Sequence, residues 1–410
     1  MVDMSVNKKL QPYSQQMLRF VFFIALVTSA SNIAYAKQQQ LELSGFARLI
    51  GGYVDDDGLN LRGYENTIDF DKDSLIALRA DYQFNRQINV VGQAIAHSAD
   101  NRESGLQWLY LQYTPLRNLS LKLGKQRLPI FAYSDIIDVG FAYPYITPPL
   151  TTYTDIIFTE FEGVLGRYDY GSKNYRGFLE LYGGFNNSIV DIDGREVEVD
   201  LDSIFGAVGS LSIGDISFRV GYITSKTTFI ENQLNGLEDV LTTLGFGQSA
   251  RAVQAENRFE FFQFGFNYEK LEYFISGEHN EIISNAYLVP DYRSTYVSIG
   301  KYDYPFTYHF TAGYGKTDIP EPINELQFGI DPVQDFLTAS FNELERSVQI
   351  DTRHFYTLGV RYDYSSSIAI KLEATHVNDA EDTRLFVMTN TATQGNNTAT
   401  LYQFGIEWVF

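Results

Sequence analysis

"LYQFGIEWVF", from Leu401 to Phe410, closes the chain. Counted back by twos, Phe410, Trp408, Ile406, Phe404 and Tyr402 share one side. Val409, Glu407, Gly405, Gln403 and Leu401, which are smaller or more polar, share the other. Successive side chains of a strand point to opposite faces, so the decamer reads as a strand with one strongly apolar face. Such a face needs a non-aqueous neighbour, either a protein core or lipid.

The same alternation recurs almost everywhere after Lys37. "SLIALRADYQF" sets Ile76, Leu78, Ala80, Tyr82 and Phe84 against Leu75, Ala77, Arg79, Asp81 and Gln83. "FYTLGVRYDY" sets Tyr356, Leu358, Val360, Tyr362 and Tyr364 against Thr357, Gly359, Arg361 and Asp363. "SIAIKLEATH" sets Ile368, Ile370, Leu372 and Ala374 against Lys371, Glu373 and Thr375. About sixteen such units are expected, an even number as in bacterial single-chain barrels. The first falls near Leu41–Tyr53 and the last near Thr400–Phe410.

The connections discriminate better than the strands. Links after even-numbered strands are tight: "NR", "PLR", "GSKN", "GD", "EK", "DYP" and "SSS". Those after odd-numbered strands are mostly long: 54–73, 127–161, 186–201, 227–258, 318–351 and 379–399. Short turns at one rim and long loops at the other mark an up-and-down sheet that spans a bilayer. In lipid such a sheet must close on itself to pair its backbone. A soluble sandwich or propeller does not explain why every second connection is long. The expected fold class is all-β, a transmembrane antiparallel up-and-down β-barrel of about 16 strands. Tyr53, Phe84, Tyr113, Tyr168, Tyr302 and Phe306, near strand ends, fit the aromatic girdles of such barrels.

The N-terminus narrows the compartment. Lys8, Lys9 and Arg19 precede the apolar run "FVFFIALVTSA", which is too short to span a bilayer and leads to "AYA" at Ala34–Ala36. Residues 1–36 are therefore expected to be a cleaved signal peptide, with Met1 or Met17 as the start, and residues 37–410 the barrel. The formal charge of −20 argues against a nucleic-acid partner, and the absence of cysteine excludes disulfides and thiolate sites. The faces turned away from lipid would carry Arg48, Arg79, Asp81, Gln93, Lys122, Arg167, Asp169, Arg219, Arg361, Asp363, Lys371 and Glu373. Buried dry, so many ions would be prohibitive. A barrel of 16–18 strands instead encloses an aqueous lumen.

The terminal aromatic with alternating apolar residues resembles the C-terminal assembly signal of Gram-negative outer-membrane barrels, carried here by Tyr402, Phe404, Ile406, Trp408 and Phe410. With the signal peptide and the strand pattern, the mature chain resembles a Gram-negative outer-membrane porin. "LKLGKQRLPIF", Leu121 to Phe131, is similar to the strand that leads into the constriction loop of that superfamily. The resemblance implies passive diffusion of small hydrophilic solutes and ions across the outer membrane. It further implies contact with outer-membrane lipid and lipopolysaccharide, insertion by the barrel assembly machinery, and a homotrimer.

Under the same resemblance, the link 127–161 folds inward. It is apolar and aromatic and contains Pro129, Pro144, Pro148 and Pro149. Asp135 and Asp138 would then face Arg79, Lys122 and Arg167 across the constriction, with Arg48, Asp81, Arg219, Arg361, Lys371 and Glu373 elsewhere on the lumen wall. Opposed charge across a narrow pore sets ion selectivity. The alternative is a lid or trimer contact whose aspartates face solvent. Inward Arg and Lys favour anions, and the aspartates and acidic loops favour cations; the runner-up to passive diffusion is a channel preferring an anion, sugar or carboxylate.

Other motifs carry less. "DDDG" (Asp55–Gly58) and "DIDG" (Asp191–Gly194) lack the continued ligand spacing of an EF-hand and read as acidic loops, so no metal or cofactor is expected. "DPVQDFLTASFNELERSV" reads as a short helix with Asp331 as N-cap and Pro332 as its first residue. The histidines, His97, His279, His309, His354 and His376, have no paired metal spacing. No Ser-His pair is evident, since His376 has no serine beside it on its apolar face, so no enzyme is expected. A non-channel structural or adhesive barrel is the remaining alternative.

Overall fold

The computed structural model describes residues 40–56, 59–99, 102, 104–153, 159–192, 195–230, 232–254, 256–284, 291–318, 325–347, 352–379 and 398–410. The expected signal peptide and the ends of both acidic motifs, Asp57–Gly58 and Asp193–Gly194, lie outside them. Strands β1 (Leu41–Val54), β2 (Leu75–Gln83), β3 (Ile88–His97), β4 (Gly105–Leu116) and β5 (Leu119–Arg127) open the sheet. Next come β6 (Glu160–Ser172), β7 (Tyr175–Ile192), β8 (Arg195–Ile213), β9 (Ile216–Ile230) and β10 (Glu256–Glu269). The rest are β11 (Tyr273–Ser284), β12 (Asp291–Asp303), β13 (Phe306–Asp318), β14 (Thr352–Asp363), β15 (Ile368–Asp379) and β16 (Thr398–Val409). Each strand is a neighbour of the next and β16 pairs with β1, giving a closed barrel of antiparallel strands.

The alternation sorts the two faces as expected. On β14, Leu358 is 64% exposed on the outer surface, whereas Thr357 beside it is 7% exposed inside. Tyr402, Ile406 and Phe410 are likewise exposed on the outside, while Gln403 and Glu407 are buried within. The closing seam uses the last residue of the chain. Phe410 N–H donates to Gly45 O at 2.9 Å and Gly45 N–H to Phe410 O at 2.8 Å. The Phe410 ring also occupies the space above Gly45, where a Cβ would come within 2.5 Å of it. Deleting Phe410, or replacing it with Asp, removes part of that seam. Such a variant is expected to cross the inner membrane normally yet fail to accumulate as a folded surface barrel. Surface labelling at wild-type level would contradict this.

One link differs from expectation. Residues 186–201 were expected as a long loop, but β7 runs on to Ile192 and β8 starts at Arg195, making a tall hairpin. Beyond the lipid a strand needs no apolar outer face, so the signal used to find strands fades there. The link after β9 holds two helices, α1 (Asn232–Thr243) and α2 (Gly247–Ala252). That after β13 holds α3 (Pro332–Ser347). Asp331 caps α3 as expected, its Oδ1 accepting from Val333 N and Gln334 N at 2.9 Å each. Leu241, Ala250 and Val253 pack with Leu326, Leu337 and Phe341, joining the two links in one small core.

Candidate constriction site

The link from β5 to β6 turns into the barrel. Its Leu128, Ile130, Phe131, Leu150 and Tyr153 join a core with inward residues of the wall, among them Phe161, Tyr182, Ile223, Phe261, Tyr296 and Phe355. Apolar burial explains its composition, but an irregular segment also brings unpaired backbone groups into the interior, and these must find partners.

The wall supplies those partners from charged side chains. Lys371 Nζ, fully buried, donates to the carbonyls of Gly140 (2.7 Å), Tyr143 (2.8 Å) and Tyr145 (2.6 Å). Arg361 Nη1 donates to Phe141 O (2.6 Å) and Tyr143 O (3.0 Å). Glu373 accepts from Ile146 N (2.7 Å), and Arg48 donates to Ile146 O. At the other end of the loop Arg219 donates to Pro129 O (2.7 Å) and Ile130 O (3.0 Å). Glu278 accepts from Ala132 N (3.1 Å) and from the hydroxyls of Tyr153 and Tyr296.

Behind these contacts lies a buried ionic group. Glu407 Oε2 sits 2.5 Å from Lys371 Nζ, and its Oε1 lies 3.2 Å from Arg48. Gly140 passes directly over that carboxylate. A Cβ there would lie 2.0 Å from Glu407 Oε1, and with Glu407 held by two cations the carboxylate has no room to retreat. The requirement for glycine is one of close approach rather than of backbone conformation.

The structure thus separates residues that the sequence grouped together. Arg48, Arg219, Arg361, Lys371 and Glu373 do face inward, but they grip the loop. Asp138 is buried with Arg127, accepts from Gln107 Nε2 at 2.7 Å and lies 3.6 Å from Arg102. Burial acts to raise its pKa, yet the Arg127 and Arg102 charges outweigh burial and hold it at about 2, so it stays ionised as an anchor. Asp135 is different. It is exposed in a three-residue 3-10 turn, Ser134–Ile136, within Coulomb reach of Tyr110 and Glu180 on the wall.

The wall beside Asp135 carries the other three predicted residues. Arg79 pairs with Asp81 at 2.7 Å and lies over Trp108, its guanidinium carbon 5.6 Å from the ring centroid. Lys122 lies over Tyr110 at 5.1 Å. Arg167 lies over Phe178 at 3.8 Å and pairs with Asp169 (3.0 Å) and Glu180 (2.9 Å). An aromatic face behind a cation attracts it and fixes where it sits. The group holds three cations, Arg79, Lys122 and Arg167, against four carboxylates, Asp81, Asp135, Asp169 and Glu180, leaving one net negative charge.

Sequence reasoning missed Glu278, Glu407, Arg127 and Gln107, and the aromatic backing by Trp108, Tyr110 and Phe178. The acids sit at inward registers of otherwise ordinary strands, so nothing local distinguishes them. The aromatics were hidden because aromatic residues were read as lipid-facing.

Among solved structures, the chain is similar to OmpT, an outer membrane protein of Vibrio cholerae (12% identity, 92% of this chain and 100% of OmpT, TM-score 0.53). It is also similar to the anion-selective porin of Comamonas acidovorans (11%, 90% and 99%, TM-score 0.55). A third is the outer membrane channel DcaP of Acinetobacter baumannii (11%, 90% and 97%, TM-score 0.52). No protein-family model and no curated protein sequence matches the chain. At these identities the likeness is one of fold, and the fold is the 16-stranded outer-membrane porin type.

Proposed function

We propose that the chain is an outer-membrane channel of a Gram-negative bacterium through which small hydrophilic solutes and ions diffuse passively, with no catalytic step. One observation carries the reading. Inward-facing charges on β2 and β6 keep access to solvent, Arg79 at 33%, Arg167 at 34% and Asp169 at 52% exposed, inside a closed barrel. Water must therefore reach them through the lumen. The similar structures, whose descriptions include channels and porins, support the same reading. Export by the Met1–Ala36 signal peptide and insertion by the assembly machinery through Tyr402–Phe410 belong to it. A homotrimer is part of the proposal too, supported by the trimer form described for the Vibrio OmpT.

The Asp135 constriction, with its single excess negative charge, gives the channel a mild preference for cations. The test is a planar-bilayer recording of purified protein in a salt gradient. Wild-type protein should conduct, with a zero-current potential on the cation side. Asp135→Asn should move that potential toward anions, because the excess charge is removed from the inner wall past which the ions move. Absence of conductance would remove the channel reading. An unchanged potential with open channels would remove Asp135 from the constriction.

A further inference from the structure

Three of the five histidines, unremarkable in sequence, come together on one arc of the outer surface. The ladder registers His279 of β11 with Thr295, Thr295 with Tyr314, and Tyr314 with His354 of β14. His376 of β15 lies one step below, opposite Tyr356 and next to Thr400 of β16. All three histidines are exposed. His279 Nδ1 lies 2.7 Å from Thr295 Oγ1, His376 Nδ1 lies 3.1 Å from Thr400 Oγ1, and the His354 ring packs on Tyr314 at 4.8 Å.

What lies on either side fixes the setting. Toward the short-turn rim the same strands expose Val297, Ile299, Phe310, Leu358 and Leu372, the apolar band that needs lipid. Toward the long-loop rim the next register holds Glu281, Arg293 and Lys316. Arg293 pairs with Glu281 (2.7 Å) and Asp318 (3.4 Å), and Lys316 pairs with Asp318 (2.5 Å). Asp291, at the start of β12, accepts from Ser284 N. The fixed charges above the histidines are therefore balanced or slightly negative. Tyr314, Tyr356 and Tyr402 also lie beside them on this face. The exposed Asp55, whose carboxylate accepts from Thr400 N at 2.9 Å, adds a negative charge next to the Thr400 that meets His376.

We propose that this arc is a pH-responsive contact for the phosphate headgroups of lipids in the leaflet at the long-loop rim. A lipid whose acyl chains lie on the Leu358–Phe310 band brings its headgroup level with His279 and His354. Histidine takes up its charge between pH 5 and 8. Protonation of the three imidazoles adds up to three positive charges to a strip whose fixed charges are otherwise slightly negative, and so turns it into an anion contact. The inference rests on the membrane-barrel reading but not on conduction.

The probe is phosphatidylglycerol, a phosphodiester lipid whose single negative charge is constant across this range, with diacylglycerol of the same acyl chains as the neutral control. Purified full-length protein in detergent is equilibrated with each, and retained lipid is counted after gel filtration at about pH 5.5 and pH 8, on either side of the histidine range. Wild-type protein should retain more phosphatidylglycerol at the lower pH, on the order of tenfold for several interfacial cations. His279→Gln/His354→Gln/His376→Gln should abolish the rise, while a circular dichroism spectrum and thermal melt unchanged from wild type show that its barrel has formed. Equal retention at both pH values, a rise that survives in the triple variant, or an equal rise with diacylglycerol would each overturn the proposal. So would an acid-dependent doubling of mass without lipid, which would assign the arc to a second copy of the chain. Failure of wild-type protein to conduct would count against the channel alone.

Discussion

Replacing Lys371 with methionine is expected to release the β5–β6 loop and raise single-channel conductance, with noisy open-state current. Lys371 is the common partner of three loop carbonyls and of Glu407. Its loss takes the donor from Tyr145 O, leaves Tyr143 O to Arg361 and Gly140 O to Tyr143 N, and leaves a buried carboxylate held by Arg48 alone. Removing one partner of a buried pair costs about 3–5 kcal/mol, and each tenfold change in a docking equilibrium needs only about 1.4 kcal/mol. A loop docked by many such contacts would then spend appreciable time away from the wall. Changing both partners, Lys371→Met with Glu407→Gln, should not restore wild-type behaviour, because buried Arg48 then loses its carboxylate and the loop carbonyls still lack the ammonium donor. Conductance and noise identical to wild type in Lys371→Met would show that apolar packing alone seats the loop.

The second large effect is expected on selectivity. Neutralising Arg79, Lys122 and Arg167 to Gln leaves Asp81, Asp135, Asp169 and Glu180 unopposed, so the net charge of the constriction falls from −1 to −4. The zero-current potential should move strongly toward cations, further than Asp135→Asn moves it toward anions. Both shifts should shrink at 1 M salt, where screening shortens to about 3 Å. Asp138→Asn should not behave like Asp135→Asn, since its charge is already matched by Arg127. A triple variant that stays as weakly selective as wild type would mean that ions pass elsewhere.

Much of the barrel was legible because lipid enforces a two-residue period and because long and short links alternate. Strand boundaries followed that signal wherever lipid touches the outer face. They drifted at the β7–β8 hairpin, which extends to Ile192 and Arg195 beyond the point where polar Asn187, Glu198 and Asp200 take over the outer face. Inward orientation was equally legible, and every predicted lumen residue on a strand does point inside. What each charge does there was not. Lys371 and Arg79 look alike in an alternating strand; one is sealed beneath loop carbonyls and the other stays partly exposed on the inner wall, a distinction made by contacts more than 200 residues away in the first case. Asp135 and Asp138 lie three positions apart on one irregular loop, where no period predicts which faces the wall.

The contacts of Glu407 also bear on the order in which the channel can be made. The carboxylate belongs to the last strand, yet it meets Arg48 of the first and, through Lys371, the loop near Gly140. Loop-to-wall bonds such as Lys371–Gly140 and Glu373–Ile146 span 231 and 227 positions. Contacts so distant in sequence form late. A chain halted before β14 carries the complete β5–β6 loop, its apolar seat on Phe161, Tyr182, Ile223, Phe261 and Tyr296, and the grips of Arg219 and Glu278. It has none of the grips from Arg361, Lys371, Glu373 and Glu407, so the Gly140–Ile146 part of the loop keeps only that of Arg48. Seating the Gly140–Ile146 part of the loop and sealing the barrel are thus completed together by the final strands. An unfinished chain presents to the membrane an open sheet whose inner loop is fully gripped at one end only.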